Sequence, residues 1–250
     1  MASKISTRNR WPYPKVIAHR LCGTLAPENT MAALKRAVAL GVEAVETDAM
    51  LTSDGVLILS HDEALGRVVR GTGKVSAMTA AELRELNAGI LCAPEFSGER
   101  MALLSEAMEF CKLHAIRMNI EIKPALGQDE QTGRAVAKAV QEAYRDYPGT
   151  LPLLSSFSSA SLAAAAGAAP ELSRALLLET MPRDWKSLAE SLRVVAVHPD
   201  AALATGQFVA EVLDAGYQMM VYTVDDHRAG QELLGLGVDA ICTNRPDLFL

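Results

Sequence analysis

Nine short apolar runs punctuate the chain, at residues 16–19, 44–51, 56–60, 118–122, 151–157, 175–179, 194–198, 219–224 and 240–243. Runs of this length read as buried strands, and nearly all are spaced widely enough for a helix between them. The exception is the second and third, which only Thr52-Ser53-Asp54-Gly55 separates. A parallel crossover needs about a dozen residues or more, so these two form an antiparallel hairpin, for which Asp-Gly is a favoured turn. Setting the return strand aside leaves eight. Eight parallel strands alternating with helices in about 250 residues predict a closed (β/α)8 TIM barrel of α/β class. If Asp54-Gly55 is a two-residue turn, Ser53 pairs with Val56. Asp48 then faces His61, and Glu46 lies two residues along on the same face.

Local signals agree with this frame. Asn29 is the expected N-cap of a helix over 30–40, which Gly41 stops. The phrase helix, glycine, apolar strand returns at 213–216 and again at 234–237. More than fifty residues between His61 and Met118 carry no barrel strand. They hold a glycine-rich loop (66–73), a capping-box start at Thr79-Ala-Ala-Glu82 and a turn-rich stretch (88–99). An insertion of this length after the second barrel strand predicts a small lid or substrate-pocket subdomain at 62–115, inside a single domain spanning 1–250. Residues 101–114 read as the helix that returns to the barrel, and 162–169 as an outer helix.

Composition narrows the partners. A net charge of −6 argues against a nucleic-acid or anionic-membrane surface. Cys22, Cys92, Cys111 and Cys242 form no C-x-x-C pair, which in a chain this large fits free thiols of a reducing compartment. The polar leader at 1–10 has no apolar core of a signal peptide, and no apolar run approaches the roughly 20 residues that span a bilayer. A soluble, cytoplasmic protein is expected. It would meet a small molecule, with assembly into a homo-oligomer left open.

Chemistry concentrates where strands end. Glu46, Asp48 and Glu121 sit among apolar neighbours, and three carboxylates gathered at one barrel mouth repel unless a cation joins them. An all-oxygen set suits one hard divalent cation, Mg²⁺ or Ca²⁺. Each carboxylate alone is equally consistent with a structural ion pair. His19 and His61 flank the cluster and form a natural acid/base pair near neutral pH. Arg20 and Lys123 are suited to hold a phosphate, or else to neutralise the carboxylates. Three carboxylates, a divalent ion, these two cations and one phosphodiester anion together carry no net charge. Phe157 and Tyr222 end strands and are candidates for an apolar wall beside a short polyol, with barrel packing as their alternative. Trp185 follows a strand and is a candidate cover for the site. His198 either lines the pocket or is structural, and His114 and His227 read as surface. The Gly66-x₄-Gly71 spacing continues into Thr72 rather than Lys, so it is no P-loop, and no Gly-x-Ser-x-Gly elbow is present.

Taken as an ordered set, His19-Arg20, Ala26-Pro27-Glu28-Asn29-Thr30, Glu46-x-Asp48, Leu59-x-His61-Asp62 and Glu121-Ile122-Lys123 resemble the signature of the glycerophosphodiester phosphodiesterases. Leu154-Ser-Ser-Phe157, Val221-Tyr-Thr-Val224 and Ile241-Cys-Thr243 extend the resemblance over nearly the whole chain. It is most similar to the bacterial cytosolic members. The resemblance implies a TIM barrel of the phospholipase-C-like phosphodiesterase type, with a small insertion after His61. It implies a divalent cation on Glu46, Asp48 and Glu121, His19 and His61 as general acid and base, and Arg20 and Lys123 on the phosphate. The implied enzyme is a phosphoric diester hydrolase. It would release sn-glycerol 3-phosphate and an alcohol from glycerophosphocholine, glycerophosphoethanolamine or glycerophosphoglycerol, in glycerol and lipid metabolism. A lysophospholipid diesterase and a silent glycerophosphodiester-binding barrel are the alternatives. The chain departs from the family pattern in four places. Leu21-Cys22 precede Gly23 where glycine follows His-Arg directly. Asp225 stands where asparagine is usual, and Asn244 where aspartate is common. The Met101-Ala-Leu-Leu104 block lacks its usual proline.

Overall fold

The structure, a computed structural model, describes residues 11–250. The leader at 1–10, on which the signal-peptide expectation rests, lies outside the described residues. Nine strands are present among these residues: β1 (Val16–Ala18), β2 (Ala44–Leu51), β3 (Leu57–Leu59), β4 (Arg117–Ile122), β5 (Leu153–Ser156), β6 (Arg174–Leu178), β7 (Ala196–Pro199), β8 (Gln218–Val221) and β9 (Ala240–Thr243). Eight of them pair in parallel in the order β1-β9-β8-β7-β6-β5-β4-β2, and the β1–β2 pairing through Ala18 and Val45 closes the cylinder. β3 stands outside, antiparallel to the far end of β2. The helices are α1 (Met31–Leu40), α2 (Ala80–Arg84), α3 (Leu104–Leu113), α4 (Asp129–Ala143), α5 (Ser159–Ala168), α6 (Trp185–Ser191), α7 (Gly206–Asp214) and α8 (His227–Gly235). All but α2 belong to the ring around the barrel expected of this architecture.

The period-two alternation of strand side chains explains both faces. Along β4, Met118, Ile120 and Ile122 join the apolar layer shared with α1, α3 and α4, which leaves Asn119 and Glu121 for the inside. The barrel floor is filled by Tyr13, Ile17, Ala44, Leu153, Ala175, Ala196, Met220 and Ala240. Tyr13 Oη donates to the Leu151 carbonyl at 2.8 Å, and the Trp11 ring packs on Tyr13 at 4.9 Å. No helix of the described residues is long and apolar enough to cross a membrane.

Two local expectations are corrected. The hairpin loop has three residues, not two: Ala49, Met50 and Leu51 pair with Leu59, Ile58 and Leu57, and Asp48 lies opposite Ser60, not His61. The Thr52 hydroxyl donates to Asp54 Oδ1, Asp54 Oδ1 also accepts from the amide of Ala80 at the start of α2, and Gly55 turns the chain at φ +77°. A residue in the left-handed region suits a three-residue hairpin loop. The cap of α1 is Thr30, whose Oγ1 accepts from Ala33 N at 3.2 Å; Asn29, at φ +57°, turns toward the barrel instead.

The segment expected as an insertion divides. Helix α3 starts at Leu104 because Met101 and Ala102 are still extended: Leu59 N donates to Ala102 O, and Ile58 bridges Leu103. Its buried residues Leu104, Ala107, Met108 and Cys111 join the main core. Residues 62–100, with the capped helix α2, pack through Val69, Val75, Leu83 and Ala88 onto Met50 and Ile58 of the hairpin. All four cysteines are unpaired.

Candidate active site

Glu46 and Asp48 share the inner face of β2, and Glu121 of β4 is the register partner of Asp48. One oxygen from each carboxylate lies within 4.8 Å of the other two, and all three residues are buried. Such proximity makes simultaneous ionisation costly. Burial, then Asp48 and Glu121, push the Glu46 carboxyl well above the usual range. Burial and Asp48 raise Glu121 to about 7, against the pull of Lys123. Burial acts on Asp48 too, but Lys123, His61, Arg20 and the amide of Asn29 outweigh it and hold Asp48 low. Lys123 Nζ stands 3.0 Å from Glu121 and 3.7 Å from Asp48, and these carboxylates raise its pKa despite its burial.

The arrangement fits a divalent cation. Glu46 Oε2 accepts from Arg20 N at 2.9 Å, while Glu46 Oε1 is buried with no hydrogen-bond partner. Buried polar atoms without partners are rare in native structures, and a missing ion is one of their standard explanations. A cation here would take that oxygen together with Asp48 and Glu121. A stability test follows from the raised pKa values. Between the ordinary carboxylate pKa and about 7, the folded metal-free chain holds protons that the unfolded chain has released. The stability contributed by these two carboxyls therefore falls as pH rises through that window. Burial of His198 and His19, whose pKa values are lowered, acts in the opposite sense below about pH 6.5. The test is therefore the gap between the thermal midpoints with a divalent ion and in chelator, which is expected to widen from about pH 5 to about pH 8. A gap that stays constant over that range would contradict the raised values.

His19 opens a single 3₁₀ turn (His19–Leu21) directly after β1. Its Nε2 lies 3.9 Å from Glu46 Oε2, and its Nδ1 is 2.7 Å from Asn244 Oδ1. Burial and the Arg20 charge hold its pKa below the usual value. His61 follows β3, with Nδ1 2.7 Å from Asp62 Oδ1, and Arg67 of the insertion binds the other oxygen of Asp62. Both histidines line one cavity of about 130 Å³ with Arg20, Glu46, Glu121, Lys123, Phe157 and Tyr222. The aromatic pair meets edge to face, ring centres 6.0 Å apart, with Lys123 Nζ 5.9 Å from the Phe157 ring. Of the ten candidates, eight line this cavity, and Asp48 joins them through its carboxylate cluster with Glu46 and Glu121.

Trp185 is the exception. It starts α6, is buried, and packs against Phe208 and Tyr217 in the outer layer, so its ring does not cover the cavity. His198 is not at the cavity wall either. It is fully buried in β7, edge-on to Trp11, with both ring nitrogens unpartnered, and burial lowers its pKa to about 3. It is a neutral structural group.

Several working parts were not singled out from sequence. Asn29 donates to Asp48 Oδ2 at 2.9 Å and accepts from Thr47 Oγ1 at 2.7 Å. Glu28 receives Arg20 Nη1 on both oxygens and Arg67 as well. Arg20 Nε remains buried without a hydrogen-bond partner, 4.0 Å from Asp48. The departures from the family pattern also acquire a geometry. Leu21 takes φ +78°, a conformation that costs a side chain about 1–2 kcal/mol, but complete burial of the leucine returns about 1.5–3 kcal/mol. Gly23 sits so close to Asn244 that a Cβ would fall 2.1 Å from the Asn244 carbonyl oxygen. Asp225 and Asn244 touch one another, so the two exchanged residues form one contact.

Comparison with known proteins agrees with this geometry. The Glycerophosphoryl diester phosphodiesterase family profile matches residues 19–248. A glycerophosphodiester phosphodiesterase of Caldanaerobacter subterraneus is 32% identical over 236 residues, covering 94% of this chain and 96% of that protein. Among solved structures, an Oleispira antarctica phosphodiesterase in complex with the product sn-glycerol-3-phosphate superposes with a TM-score of 0.86 at 33% identity, covering 94% of each chain. A glycerophosphodiester phosphodiesterase of Agrobacterium tumefaciens gives a TM-score of 0.77 at 29% identity, covering 94% of this chain and 98% of that one.

Proposed function

The chain belongs to the glycerophosphoryl diester phosphodiesterase family and is a phosphodiesterase of that kind, and from that premise we propose that it hydrolyses glycerophosphodiesters to sn-glycerol 3-phosphate and a free alcohol with a divalent cation and two histidines. The observation that carries this reading is the convergence of both imidazoles, three carboxylates and two cations on one cavity. Glu46, Asp48 and Glu121 would hold the ion, Mg²⁺ or Ca²⁺. When bound, it supplies Lewis-acid charge against the non-bridging phosphoryl oxygens.

The residues of the chain do the rest. Arg20 and Lys123 offset charge developing at phosphorus. One imidazole takes the proton of the attacking oxygen, and the other gives a proton to the leaving alcohol. The attacker is either water or the glycerol 2-hydroxyl of the substrate, whose proximity favours an internal displacement to a cyclic phosphate that water then opens. Phe157 and Tyr222 form the apolar side of the pocket, against the carbon skeleton of the glycerol unit.

A second reading has its own observation. Leu126, Phe157 and Met181 are exposed on the loops after β4, β5 and β6, three consecutive strands of the barrel. These exposed apolar groups would give an acyl chain places to lie, as a lysophospholipid would require. Offering glycerophosphoethanolamine and lysophosphatidylcholine separately, with Mg²⁺ or Ca²⁺, distinguishes the two. Glycerol 3-phosphate from the water-soluble diester alone is the expected result. Preferential cleavage of the lysolipid would favour the second reading, and binding of the diester without any release would leave a silent barrel.

A further inference from the structure

Asp225 lies beyond the cavity wall, yet its contacts lead to the catalytic ring. Asp225 Oδ1 accepts from the backbone amide of Asn244 at 2.7 Å and from Thr243 Oγ1 at 3.1 Å, and Asp225 Oδ2 accepts from Asn244 Nδ2 at 2.9 Å. Asn244 Oδ1 in turn lies 2.7 Å from His19 Nδ1. Gly23 brings the loop that follows His19 onto the Asn244 backbone, where Thr24 N donates to Asn244 O at 3.0 Å. The three side chains come from the end of the chain and its beginning, and the barrel closure between β9 and β1 brings them together.

Donor and acceptor chemistry gives this row a direction. The two ends of an asparagine amide look alike in shape, so orientation has to come from the partners. An ionised carboxylate only accepts hydrogen bonds. The end of Asn244 that meets Asp225 is therefore the NH₂, and the end that meets His19 is the carbonyl oxygen. That oxygen only accepts, so His19 Nδ1 must carry a proton and donate it. In the neutral ring the lone pair is then on Nε2, the nitrogen on the cavity side, 3.9 Å from Glu46.

The geometry points to Asp225 and Asn244 as positioning residues that lock His19 in the Nδ1–H tautomer, so that Nε2 is available to exchange a proton with the substrate. Asp225 acts through Asn244 and touches no reacting atom. Its role is to dictate which way round the amide sits. The inference rests on the reading of His19 as a proton-transferring group, but the tautomer itself is observable without substrate.

The polarity makes an unusual prediction for Asp225→Asn. The new amide must still present its oxygen to the Asn244 backbone N–H, so its NH₂ faces the Asn244 side chain. Asn244 then turns over, offers its own NH₂ to His19, and forces the ring into the opposite tautomer. The exchange variant D225N/N244D reverses this: the NH₂ at 225 donates to the carboxylate at 244, which again accepts from His19 Nδ1–H.

The experiment is ¹⁵N imidazole NMR on the full-length chain with Mg²⁺, at a pH where the ring is neutral, with the His19 signals assigned by loss in His19→Gln. In the unsubstituted chain, Nδ1 is expected to resonate as a protonated nitrogen and Nε2 as a bare one. The pattern inverts in D225N and returns in D225N/N244D. In parallel, kcat should fall roughly 10²-fold or more in D225N, as expected when a catalytic histidine is held in the wrong tautomer. KM should change less, and kcat should recover to within about tenfold in the exchange variant. An Nε2–H ring in the unsubstituted chain overturns the inference without any variant, which covers the case of D225N failing to fold. So does a D225N ring that keeps Nδ1–H. If the tautomers behave as expected while no diester is cleaved by the unsubstituted chain, the clamp stands and the proposed function falls.

Discussion

Alanine at His19 or at His61 is expected to lower kcat for a glycerophosphodiester by about 10²- to 10⁴-fold each, the usual contribution of a positioned acid or base. Both side chains line the cavity, and each has its Nδ1 engaged elsewhere, by Asn244 or Asp62. One nitrogen per ring is thus left for the chemistry. Neither side chain belongs to the apolar layers, so the thermal midpoint should stay close to that of the unsubstituted chain. The double variant should lose little more than the worse single one, because residues that serve one displacement are far from additive. Steady-state release of glycerol 3-phosphate measures all three. Near-normal turnover in either single variant removes that histidine from the mechanism.

Removal of divalent ions is expected to abolish turnover, and Mg²⁺ or Ca²⁺ to restore it. Without a cation, Glu46 and Glu121 are pushed toward their protonated forms, and the cleft has no Lewis acid to meet the charge of the phosphodiester. Asp48→Asn tests the same point from the protein side, with an expected loss of about 10²-fold or more in kcat/KM at fixed metal concentration. Metal titration of the thermal midpoint supplies an independent reading: an ion at about 100 times its Kd stabilises by about 2.7 kcal/mol, and that shift should shrink in Asp48→Asn. Full activity in chelator would remove the cation from the reaction.

Much of the barrel was legible because its information is local and periodic. Each strand declares itself as an apolar run, and the four residues between the second and third runs forced a hairpin. The hairpin register was not legible, because the turn is fixed from outside: Asp54 is held by the amide of Ala80, which belongs to a helix 26 residues further on. Asn29 looked like a cap because asparagine before a helix usually is one, and only the folded chain reveals that Asp48 claims its amide. Trp185 was misjudged for a related reason. Its place after a strand was visible, but the side of the helix it occupies depends on Phe208 and Tyr217, which arrive with later elements. The substitutions at 225 and 244 could be noticed separately in the sequence. That they answer one another required the contact between them.

The filled floor of the barrel has a consequence for traffic. With Trp11 and Tyr13 packed against one another and apolar side chains filling the lower cylinder, the pocket of the described residues lies at the rim that carries the histidines. Substrate, both products and any hydrolytic water would pass that rim. A bulky headgroup alcohol is therefore expected to slow each cycle at the exit even when its bond to phosphorus breaks readily.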